Sequence, residues 1–344
     1  MRLFWFIKRE RTCVWRILRV RCTSIGKSCK IQSIIAASPC TIRVPEARCR
    51  REQGGTIVIQ KDAQVEELID NSGLTRIAGA LKDLTMLSNR ITTSPFGEEE
   101  VPVGVSRIGG EPDLPAGTQW PMYEQQPLTF IAQIRLEEVP YKPEILPQNG
   151  LLSFFYNAVD QPWGYGPEHA GQWKVIHTES TNELERITPP DQVKQDGDFE
   201  ALAVTFSVQT TLPSWNTLAV RRMDLNEAEI DQYSELMENI TEYNAPGFPI
   251  HRLLGHADQV QGEMQLKCQL VTHGIDCGDP SGYRHPRRQE LEPGAEGWKL
   301  LLQIDSEEDI GMTWGDFGMI YFWIHEEALK RRDFDSVWVV LQCG

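Results

Sequence analysis

Four histidines, His251, His256, His273 and His285, fall within one stretch of the chain, with Cys268, Asp276, Cys277 and Asp279 among them. Imidazole, carboxylate and thiolate are donors that zinc or iron accepts. If the loop around His273, Cys277 and His285 folded back on itself, it could place such donors about one ion, and metal-assisted hydrolysis would be the chemistry. The spacing matches no metal signature. His251 and His256 lie five apart beside Gly255, so they share no helical face as an i, i+4 pair does. Surface or hydrogen-bonded histidines are the preferred reading, and no cofactor is expected. Ser281 lacks a nucleophile elbow, and Cys277 has His273 only as a sequence neighbour. Asp305, Glu307, Glu308 and Asp309 make an acidic turn without the spacing or central glycine of a calcium loop. Gly109 and Gly110 lack the Lys-Ser/Thr of a phosphate-binding loop.

Other residues suit binding better than catalysis. Trp314, Gly315 and Asp316 form a turn that either lines a ligand cleft or closes on itself, with Asp316 accepting backbone N–H groups and Trp314 capping the core. Arg107 and Arg252 occupy matching places in the two halves of the chain. They either hold an anionic ligand between the halves or pair with core-edge carboxylates such as Asp305, and the second is preferred. Together with Trp120, these residues define an expected ligand cleft: Arg107, Trp120, Arg252, Trp314 and Asp316.

The charge distribution narrows the partners. The 344 residues carry a formal charge of −15, but residues 1–55 hold 13 basic and 3 acidic side chains, leaving 21 basic and 46 acidic in the remainder. The acidic body argues against a nucleic-acid groove, which needs clustered Lys and Arg. The basic leader is too short in apolar run for a secretory signal or a bilayer span. It is read as an extension without a fold of its own, disordered or a misplaced start. Its cysteines, Cys13, Cys22, Cys29, Cys40 and Cys49, show no metal spacing. Cysteine is sparse in the body, which suits a reducing, cytoplasmic setting.

The elements that must position these groups are mainly strands. Apolar, β-branched and aromatic runs at residues 130–136, 151–156, 173–178, 201–208, 319–324 and 337–341 read as buried strands, and 103–108 as another. Residues 62–90 read as two short helices broken near Gly73. Residues 226–243 read as the most secure helix, with Asn226 as N-cap and Glu229 reciprocating. A short solvated helix is expected between His325 and Asp333, with Glu326 four residues before Lys330.

Laying the halves side by side reveals a repeat. Ser106, Arg107, Ile108 and Gly110 match His251, Arg252, Leu253 and Gly255; the run from Phe130 to Gln133 matches that from Leu300 to Gln303; Gly150 and its strand match Gly318 and its strand; Trp173 matches Trp338. Two sheets packed about a pseudo-twofold axis are expected, within one domain over residues 56–344 and with repeats at about 101–180 and 248–344. Gln133 and Gln303, polar within apolar strands, then require buried partners.

The motifs at 251–256, 303–306, 311–316 and 318–324, with the terminal Gln342 and Cys343, resemble the YwqG-like family of bacterial proteins over residues 101–344. That resemblance implies an α+β, mainly-β, roll-like duplicated fold in the cytosol and no established activity. It also implies, through an association of such families with toxin systems, an acidic immunity-like protein masking a basic partner. The leading expectation is a binding or interaction protein for a protein or small-molecule ligand, with no nucleic acid and no membrane span.

Overall fold

The computed structural model describes residues 50–51, 57–58, 61–97, 100–196, 199–244 and 247–344. The chain divides into two units, residues 1–46 and 47–344, and the second carries the fold. The expectations for the basic leader and its five cysteines lie outside the described residues, apart from the backbone of Arg50–Arg51, which pairs with Ile57–Val58.

Ten strands make one antiparallel sheet. In chain order they are β1 (Met86–Pro95), β2 (Arg107–Ile108), β3 (Thr129–Arg135), β4 (Leu151–Tyr156), β5 (Trp173–Thr178), β6 (Leu202–Thr211), β7 (His251–Leu253), β8 (Trp298–Asp305), β9 (Met319–His325) and β10 (Trp338–Gln342). Their spatial order is β5-β4-β3-β2-β6-β1-β7-β8-β9-β10. The sheet curls into a near-barrel, in which the end strands β5 and β10 approach without pairing. Trp173 on β5 donates its indole N–H to the Val337 carbonyl at 2.8 Å. Its ring meets that of Trp338 on β10 edge to face, with centroids 4.9 Å apart. Inside the curl, Phe154 and Phe322 meet at 5.1 Å. Such edge-to-face pairs add about 0.5–1.5 kcal/mol each beyond the area they bury.

This arrangement corrects the expectation of two separate sheets, one per repeat. The two strand sets are joined edgewise through the long central pair β6 and β1, whose register runs from Leu202 opposite Pro95 to Thr211 opposite Met86. The sequence reading placed the start of β1 in a helix. Three of its four buried residues, Ser88, Asn89 and Arg90, are polar and only Ile91 is apolar, so the strand shows no apolar run. Hydrogen bonds replace apolar packing there: the Asn89 amide both donates to the Tyr141 carbonyl and accepts the Tyr141 N–H, each at 2.9 Å.

Helices cover the outside. α1 (Ala63–Asn71) and α2 (Ala78–Leu84) occupy the stretch read as two helices. With α3 (Glu227–Asn244) they enclose a second core built on Val65, Ile69, Leu81, Tyr233 and Ile240. The α3 start has its reciprocal cap: Glu229 N–H donates to Asn226 Oδ1, and Asn226 N–H to Glu229 Oε2, each at 3.0 Å. A further helix, α4 (Gln265–Val271), is buried along most of its length. The short helix α5 (Glu326–Lys330) carries the expected ion pair of Lys330 with Glu326. None of the described helices is long and apolar enough to cross a membrane.

The two halves of the sheet repeat the same pairings. Arg107 lies opposite Gln133 and Arg252 opposite Gln303. The register slips between Phe130 and Ala132 in β3, and between Leu300 and Leu302 in β8. A bulge leaves one residue unpaired and increases twist, so both halves bend at the same place.

Candidate functional site

The expected arginine pair is committed to structure. Arg107 donates to Asp113 Oδ2 at 2.6 Å. Asp113 is fully buried, and it also accepts from Arg186 at 3.0 Å, Gln133 Nε2 at 2.8 Å and the Gly104 N–H at 2.7 Å. Burial pushes the Asp113 carboxyl up, but the bonds from Arg107 and Arg186 outweigh it and hold it at about 2. The second half is built alike: Arg252 meets Asp258 at 2.9 Å, and Gln303 Nε2 donates to Asp258 Oδ2 at 3.0 Å. Both glutamines accept the aspartate's own N–H at 2.9 Å and donate to a backbone carbonyl just before β2 or β7, Val105 or Ile250, at 2.7 Å. The carboxylates are therefore Asp113 and Asp258, each six residues after its arginine, and not Asp305. That repeated spacing was present in the sequence and is the signal that could have found them. The glutamines find their partners within their own half.

Trp314 is also core. It is fully buried, with Tyr156 at 5.7 Å and Phe199 at 6.0 Å. The turn after it is closed by other groups than Asp316: Trp314 N–H donates to Ser306 Oγ at 3.1 Å and Gly315 N–H to Gln161 Oε1 at 2.8 Å. Asp316 is exposed to solvent.

The histidines disperse. His251 is fully buried; its Nδ1 accepts the Asp305 N–H at 3.0 Å, so Nε2 carries the proton and donates to Glu307 at 3.0 Å. His273 donates from Nδ1 to the Gln269 carbonyl at 2.6 Å. His285 is exposed. Cys277 is buried, and burial pushes its thiol up to about 11, away from the thiolate a metal requires. Among the described residues no group of three or more His, Cys, Asp or Glu is arranged to hold a metal.

His256 donates from Nε2 to the Leu84 carbonyl at 2.8 Å, and burial pushes its imidazole from 6.5 down to about 4. The folded state therefore binds fewer protons than the unfolded one, so stability rises with pH across this window. The contribution is complete above the unfolded value and is lost as pH falls towards about 4, on the order of 2–3 kcal/mol in all. Urea midpoints should drop between about pH 7 and about pH 5, and His256→Gln should flatten that slope. A wild-type midpoint that does not move over the same interval rules out a neutral buried imidazole.

Of the expected ligand residues, Trp120 alone reaches a large concavity. A cleft of about 890 Å³ opens where β5 and β10 approach, and its walls include Trp120, Trp173, Trp298 and Trp338. All four indole N–H groups are spent within the protein: Trp120 on the Leu128 carbonyl at 2.9 Å, Trp173 on Val337 at 2.8 Å, Trp298 on Gln269 Oε1 at 2.9 Å and Trp338 on Gly164 at 2.9 Å. The rings therefore offer carbon surface to the cleft and no hydrogen-bond donors. Polar groups stand at the rim. His325 accepts the Glu327 N–H on Nδ1 at 3.3 Å, which leaves its proton on Nε2, while Lys174 is paired with Asp335. Sequence reasoning took Trp173 and Trp338 as strand residues. Only closure of the sheet brings them to one cleft.

A curled antiparallel sheet with an aromatic cleft at its closing seam defines a mostly-β protein with the dimensions of a small-molecule binding site. Residues 106–343 match the family described as a domain of unknown function (DUF1963), and the chain belongs to that family. The matched region runs from β2 to β10 and leaves the central strand β1 outside it. No curated protein matches the chain.

Proposed function

We propose that this chain is a non-enzymatic binding protein whose ligand lies in the seam cleft and presents a flat ring to the tryptophans. The observation that carries the reading is the disposition of four tryptophans whose N–H groups are all internally bonded. A wall of that kind selects by ring contact and apolar burial, and the polar rim then orients the ligand. The test uses 8-anilinonaphthalene-1-sulfonate as an aromatic probe. One saturable site on the folded protein is expected, weakened about tenfold or more by Trp120→Ala, whose ring is only half-buried and meets Phe155 edge to face at 5.6 Å. Absence of saturable binding, or equal binding by Trp120→Ala, removes the proposal.

The matched pairings and bulges support a duplication, with the halves related by a twofold axis through the central strands. Arg107 lies opposite Ala203 and Arg252 opposite Arg90, and a twofold that exchanged these pairs would pass through the Thr92–Thr205 pair. The cleft then lies at the far side of the curl, where the last strand of each copy contributes one wall. The resemblance to YwqG-like proteins accords with this reading, and the sparse cysteine of the body with a cytoplasmic setting.

A further inference from the structure

A second cavity shares Trp298 with the seam cleft and is otherwise lined by different residues. It measures about 350 Å³, and Gln259, His256, Glu263 and Trp323 are in its wall. Seven buried side-chain polar atoms have no hydrogen-bond partner among the described residues. Two of them, Gln259 Oε1 and Trp323 Nε1, belong to this wall, and a third, Asn216 Oδ1, is next to the wall residue Thr217. Trp323 is 4% exposed. An unpaired buried polar atom costs about 1–3 kcal/mol, so the two in the wall itself, Gln259 Oε1 and Trp323 Nε1, point to a ligand that completes them.

The kind of ligand follows from the inventory. Of the two orphan atoms in the wall, Gln259 Oε1 is an acceptor. His256 adds a second acceptor, because its Nε2 proton is given to Leu84, leaving Nδ1 as a lone pair. Glu263 contributes a carboxylate, one oxygen of which accepts the Leu266 N–H at 2.8 Å. Asp83 and Glu296 are at the exposed part of the wall, and Glu296 is paired with Arg222, so the negative charge available to a ligand is that of Glu263. An ammonium group brings three donors and no acceptor, and the wall also holds two aromatic residues, Trp298 and Trp323. The one orphan donor, the Trp323 N–H, requires an oxygen on the same molecule.

We propose that this cavity binds a small primary ammonium compound that carries a neighbouring hydroxyl, an amino alcohol. The ammonium donates to Gln259 Oε1, His256 Nδ1 and Glu263, and the hydroxyl oxygen accepts from Trp323. The test follows the indole N–H resonances of ¹⁵N-labelled full-length protein during titration with ethanolamine hydrochloride. The Trp323 resonance, assigned by its loss in Trp323→Phe, should move saturably. Gln259→Leu should weaken the effect about tenfold or more. Ethylamine, which lacks the oxygen, should bind more weakly and leave the Trp323 resonance nearly in place. No saturable movement, or the same movement with ethylene glycol or with sodium chloride at equal ionic strength, overturns the proposal. Should Trp323→Phe not fold, the Gln259→Leu comparison decides on its own, since loss of the shift supports the site and an unchanged shift overturns it.

Discussion

Asp113→Ala is expected to cost about 3–5 kcal/mol of stability, the range for removing one partner of a buried ion pair. The carboxylate is 0% exposed and receives Arg107, Arg186, Gln133 and the Gly104 N–H. Without it Arg107, 1% exposed, keeps only the Glu111 carbonyl as its other acceptor. Burial already pulls that guanidinium below its ordinary value, so the orphaned charge is expensive. Asp258→Ala should cost less, because its side chain is 23% exposed and water can reach Arg252's partner site. The double variant Arg107→Met with Asp113→Leu should recover only the part due to the orphaned Arg107 charge, because Arg186, Gln133 Nε2 and the Gly104 N–H still lose their acceptor. Denaturant midpoints at constant m-value measure all three. A loss below about 1 kcal/mol for Asp113→Ala would show that the network carries little. In acid the same group acts with a fixed sign. Its pKa is depressed from 3.8 to about 2, so its contribution is full above the unfolded value and fades as pH falls through the folded one.

That network also shows where the sequence could be read and where it could not. Runs such as those in β3, β4 and β9 announce themselves, because most residues there are apolar or aromatic and the strand is buried on both faces. The internal match of Arg107 with Arg252 and Gln133 with Gln303 was equally legible, and the paired register bears the same correspondence. The aspartates were missed because Asp113, which opens a short strand paired with Leu184–Arg186, sits in a Gly- and Pro-rich stretch of sequence, and Asp258 in a polar loop, where a carboxylate reads as solvated. β1 was missed for the converse reason: its burial is supported by strand neighbours on both edges and by side-chain hydrogen bonds, neither of which leaves an apolar period. The seam cleft depends on residues far apart in the chain, such as Trp173 and Trp338, meeting only after the sheet curls. Local pattern carries no record of closure, and so of the four cleft tryptophans only Trp120, at the end of a Pro-rich loop, was put forward as a ligand contact.

Gly164→Ala is expected to open that seam. Gly164 has φ of +72°, and a Cβ built there overlaps the Val339 carbonyl on β10. Its own carbonyl accepts the Trp338 indole N–H, and the neighbouring Trp163 carbonyl accepts the Leu341 N–H at 3.2 Å. The loop is thus laced to the end strand by backbone groups that cannot rotate away, so a methyl group must displace the loop, the strand or both. Gly117→Ala separates the two costs. It too has a left-handed backbone, φ +78°, but its Cβ would enter open space. The control should lose only the conformational term, about 1 kcal/mol, whereas Gly164→Ala should lose about 2–4 kcal/mol through the added collision. The stronger discriminator is the cleft itself. Displacing Gly164 withdraws the acceptor that fixes the Trp338 ring, so saturable binding of 8-anilinonaphthalene-1-sulfonate should be lost in Gly164→Ala under conditions where the protein remains folded, and kept in Gly117→Ala. Equal losses of stability in the two variants, with probe binding intact in both, would mean that the loop yields freely and that the closing contacts of the near-barrel do not shape its cleft.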